Sequence, residues 1–66
     1  MTTYRSVQAQ NVTIEVGGGL HLGSLQGVVT AIEAIGLGWV RITLQPTEGQ
    51  PIAVDSAFTM GEVASD

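Results

Sequence analysis

Few residues in this chain could do chemistry, and their types narrow what that chemistry could be. A hydrolytic site needs a nucleophile, a base and an orienting acid that share one face. The only histidine is His21, the serines are Ser6, Ser24, Ser56 and Ser65, and there is no cysteine. Asp55 and Ser56 are adjacent, so on a strand they point to opposite faces and cannot serve one site. A closed zinc site fails in a related way, because thiolates are absent and no carboxylate lies close to His21 in sequence. The run Gly17-Gly18-Gly19 has neither the GxGxxG nor the Walker spacing of a phosphate cradle, and reads as a turn or bulge. These residues predict a protein that is not an enzyme and carries no metal or cofactor.

The remaining candidates are aromatic and cationic. Trp39 and Arg41 fall two positions apart, the spacing that puts both on one face of a strand. An outward indole there could stack on a base while Arg41 reaches a phosphate. Tyr4, Arg5 and His21 complete the candidate nucleic-acid-binding set. The competing role for Trp39 is burial against a neighbouring subunit, since tryptophan and arginine are both enriched at protein interfaces. Charge weighs against strong nucleic-acid binding: six acidic residues face only Arg5 and Arg41, lysine is absent and the net charge is −4. Affinity for nucleic acid rests largely on Lys and Arg contacts to phosphate.

The elements that must position these residues read as strands. Val12, Ile14 and Val16 alternate with Asn11, Thr13 and Glu15, the period of a half-buried strand. Leu20 and Leu22 restart the alternation after the glycines, and Gly23-Ser24 kinks or interrupts it. Leu25 to Ile35 would suit a short helix through its alanines and Glu33, but Val28, Val29, Thr30 and Ile32 favour a strongly bent strand, with Gly27 at the bend. Trp39 to Leu44 alternates cleanly, with Val40, Ile42 and Leu44 inward. Pro46 to Gln50 is a polar turn, Ile52 to Asp55 a short strand, and Met60 with Val63 a final one; Ala64 to Asp66 are expected to fray. The sum is an all-β, small, strongly bent five-stranded antiparallel barrel over residues 1–66, with its core in about 11–63.

A domain of 66 residues hides only about 60% of its unfolded surface, so an isolated copy is marginal without disulfides, metal or association. With cysteine absent, association is the remaining helper. Composition agrees, since 44% of residues are hydrophobic and 12% charged, against ~25% charged in an average soluble domain. A homo-oligomer is expected. No stretch has the pattern of a secretory signal or the length of an apolar membrane helix, so the expected setting is cytoplasmic and away from membranes.

The order of pieces resembles the Sm-like family, which includes Hfq and the LSm proteins. The resemblance runs from about Asn11 to Val63. It is carried by the short strand VTIEV, a glycine turn, a bent strand opened by Leu25-Gln26-Gly27 with Glu33 six positions after that glycine, and a strand ending in VRITL. Ile52 to Phe58 echoes the family's closing apolar strand pair. The resemblance implies a ring of copies joined through strand edges, with RNA bound near the pore. The acidic balance motivates a second reading, a structural or protein-interaction module on a small β-barrel without a nucleic-acid role.

Overall fold

A computed structural model describes residues 2–64. Every regular element among them is a strand: β1 Tyr4–Ala9, β2 Val12–Glu15, β3 Gly19–Leu22, β4 Leu25–Gly36, β5 Trp39–Gln45, β6 Ile52–Ala57 and β7 Met60–Val63. The alternation of β5 is realised as read. Val40, Ile42 and Leu44 are all but inaccessible, while Trp39 and Arg41 stay outside. A period of 2 with one face on the core requires this. In β2 only Ile14 is buried; Val12 and Val16, expected on the same inward face, are about half exposed. β2 is the last strand of its sheet, so its ends have nothing to pack under.

The strands form two antiparallel sheets, ordered β2-β1-β7 and β3-β4-β5-β6. β4 joins them. β5 pairs along one edge of β4, while the other edge meets β3 first. Next along that edge the Gly17 amide donates to the Val29 carbonyl (2.7 Å) and the Val29 amide to the Gly18 carbonyl (2.9 Å). Last comes the start of the chain, through the Thr3–Glu33 bridge and the Ala34 amide on the Thr2 carbonyl at 2.9 Å. The result is a curled antiparallel half-barrel, not the closed five-stranded barrel expected. Seven strands stand among the described residues where the pattern predicts about five, partly because β1 forms from a segment with few apolar residues.

Gly27, where the sequence predicts a bend, has a different role. A Cβ there would lie 2.6 Å from the Gln45 carbonyl oxygen and 3.1 Å from Pro46 Cα. Its role is thus a close backbone approach between β4 and the end of β5. The bends themselves fall at register shifts between Val29 and Ala31 and between Ala34 and Gly36, where an extra residue sharpens the twist. Gly23 is a hairpin turn at φ 59, with Leu22 and Leu25 paired across it.

The core comprises Val7, Ala9, Ile14, Val29, Ile32, Val40, Ile42 and Leu44, drawn from both sheets. Tyr4, Leu20, Val54 and Phe58 pack around it. Burying one such aliphatic side chain contributes about 1.5–3 kcal/mol, so this core is small against the cost of ordering the chain. Ala64, expected to fray, instead donates its amide to Thr3 at 3.0 Å. Ser65 and Asp66 lie outside the described residues.

Candidate functional site

The outer face of β5 carries the clearest arrangement of polar groups. Register puts Arg41 directly between Glu33 on β4 and Asp55 on β6. The guanidinium grips Asp55 through two bonds, Nε to Oδ1 at 2.8 Å and Nη2 to Oδ2 at 3.1 Å. Both groups face solvent. Donation from Arg41 holds the Asp55 carboxyl below its ordinary range, and Asp55, aided by Glu33, raises the Arg41 pKa above its ordinary value. A cation bracketed by two acids offers a phosphate little net charge.

Trp39 stands two residues away on the same face and is half exposed. Its cross-strand neighbours are Gly36 and Ala57, too small to cover an indole. Arg5 lies on β1, in the other sheet, and pairs with Glu62 at 3.2 Å. Tyr4 is half-buried, with its ring centroid 5.2 Å from that of Phe58 and its edge against Gly61, so its ring serves packing. His21 is exposed on β3, paired with Gln26, beside a shallow hollow of about 300 Å³. Trp39 and Arg41 are therefore neighbours on β5, while Tyr4 and Arg5 sit on β1 and His21 on β3 beyond β4. Asp55 and Ser56 face opposite sides, as their adjacency on a strand demands: Asp55 is exposed and Ser56 buried.

Sequence reasoning missed a groove between the β1–β2 turn and the end of β6, with a volume of about 740 Å³. Its floor includes Ala9, and Phe58 and Met60 line its apolar side. Gln10 Nε2 donates to Ser56 Oγ at 3.2 Å, and the Ser56 hydroxyl donates in turn to the Ala57 carbonyl at 3.0 Å. This relay ties the β1–β2 turn to the second sheet. It comes with a strained backbone, because Gln10 (φ 54) and Asn11 (φ 63) both occupy the left-handed region. That is the pattern of a type I′ hairpin, in which asparagine is common and glutamine is not. The pair Gln10-Asn11 before an alternating run was the available signal.

No family model, characterised protein or solved structure matches this chain. The fold and the surface chemistry therefore carry the functional argument alone.

Proposed function

We propose that this chain is a self-associating β-module, a structural or protein-interaction component assembled from copies of itself. One observation carries the proposal. Among the described residues, eight large apolar side chains lie exposed against seven buried in the core: Val12, Val16, Val28, Ile35, Leu37, Trp39, Met60 and Val63 are 43–100% accessible. Isolated exposed aliphatics are ordinary, but this share in so small a chain marks interaction surface. The accessible area, 4418 Å², also exceeds the roughly 4000 Å² expected of a compact monomer of this mass. The outer strands β6 and β7 each end a sheet, leaving backbone groups ready to accept a neighbouring strand. Copies joined at such edges would form a ring with the Sm-like arrangement suggested by the bent strand that begins Leu25-Gln26-Gly27.

RNA binding is the second reading, and the adjacency of an uncovered Trp39 to Arg41 favours it. Pairing of both arginines with carboxylates supports the interaction-module reading over it. One experiment addresses both. Light scattering after size exclusion is expected to give a discrete multiple of 6.8 kDa, and a monomer at every concentration would overturn the proposal. On the same material, oligo-U and oligo-A titrated across a salt series are expected to show no binding at low salt. Salt-sensitive binding there would put the RNA reading ahead.

A further inference from the structure

We propose that the tip of the β4–β5 hairpin is a knob that seats in the groove between the β1–β2 turn and β6 of a second copy of this chain. The inference rests on the self-association reading and names its contact. The tip is Ile35-Gly36-Leu37-Gly38-Trp39, closed by a tight turn across the Gly36–Trp39 pair with Gly38 at φ +72. Glycine supplies the positive φ that the turn demands. Leu37 supplies nothing to the fold: it is 100% accessible, at a position where turns ordinarily carry polar residues. With Ile35 and Trp39 each more than 40% accessible, the hairpin presents an aliphatic and aromatic cluster to solvent.

The groove has room for this cluster, and part of its lining is apolar. Its volume of about 740 Å³ falls in the ~300–1,000 Å³ range of sites that enclose a ligand of several side-chain groups. Gln10 and Ser56 already satisfy one another, and beside the polar Gln8, Asn11 and Thr59 the groove offers an occupant the apolar side chains of Phe58 and Met60. No ionisable residue lines the groove, and none occurs in the tip. In a chain with a net charge of −4, contacts that include the unpaired acids repel between copies. Knob and groove can meet without including them.

Their placement also suits a second copy rather than an unrelated partner. The Phe58 amide donates to the Gly38 carbonyl at 3.0 Å, and Trp39 pairs with Ala57 on the groove's rim. Knob and groove are thus adjacent, where β5 begins and β6 ends, so the contacts a copy makes with its neighbours can use both. Each copy gives a knob and receives one, which doubles the apolar area covered and places Trp39, a residue type that often dominates interfaces, at its centre.

The absence of cysteine makes the test clean. Leu37→Cys and Met60→Cys are prepared as separate single variants, mixed and oxidised mildly. The expected result is a mixed disulfide well above its statistical yield, with little of either homodisulfide. Leu37→Asp, at a position the fold does not use, should keep the wild-type circular dichroism and weaken association at least tenfold. A statistical or predominantly homotypic crosslinking pattern in a protein that light scattering finds oligomeric overturns this contact while leaving self-association intact. A monomer by light scattering overturns both. Wild-type assembly of Leu37→Asp would overturn the knob.

Discussion

Arg41 and Asp55 form the best-defined polar contact in the molecule, and their linkage has a definite sign. The Asp55 carboxyl is more acidic when folded than its ordinary value of 3.8 because Arg41 donates to it. The stability it contributes is therefore fully present above that ordinary value and is lost as pH falls through the lower folded one. Asp55→Asn removes the charge at nearly constant shape. Urea melts at several pH values should find the wild type more stable than the variant near neutrality, with the difference closing below about pH 4. A difference that stays constant with pH would show that the ion pair does not act through this carboxyl. The outward direction of Trp39 and Arg41 was legible from alternation along β5. Their partners were not, because cross-strand register decides which carboxylates flank a side chain, and register depends on turns and bulges far from Arg41 itself.

Legibility among the strands followed burial. β5 has neighbours on both edges and one face on the core, so its pattern is nearly complete in the sequence. β1 also has a neighbour on each side, yet only Val7 and Ala9 reach the core from it. Two small apolar residues among polar ones do not announce a strand, and Tyr4 and Arg5 consequently looked like free surface groups. Every residue of β7 is exposed, and it holds its place through pairing with β1. The sequence pattern places a bend at Gly27, whereas the structure gives that glycine a steric role. An added methyl group would meet backbone atoms of Gln45 and Pro46, which cannot rotate away as a side chain can. Gly27→Ala should cost about 1–3 kcal/mol, the usual penalty of overpacking, and chemical denaturation would measure it. An unchanged midpoint would mean that β4 and the end of β5 separate freely.

At the scale of the molecule, the core is small and exposed apolar side chains are abundant, and the self-association proposed for the chain would add stability from its neighbours. Unfolding coupled to dissociation depends on concentration. Calorimetric scans over a ~100-fold range of protein concentration should raise the midpoint by several degrees, since that range is worth up to ~2.7 kcal/mol per contact in the linkage relation. A midpoint independent of concentration would count against association in the folded state. The curl of the sheet, the glycine turns and the all-β class were readable in the sequence; the openness of the half-barrel depends on which distant edges meet, which local patterns do not encode. One such meeting governs time as well as shape. β1 pairs with β7, and the Ala64 amide closes on Thr3, so an early segment waits for one of the last before its sheet is complete. Closing so long a loop is entropically costly and slows folding. During synthesis on the ribosome, Val7 and Ile14 emerge while most of the core they join has yet to be made. The nascent chain therefore passes through a period in which side chains destined for the core are still uncovered.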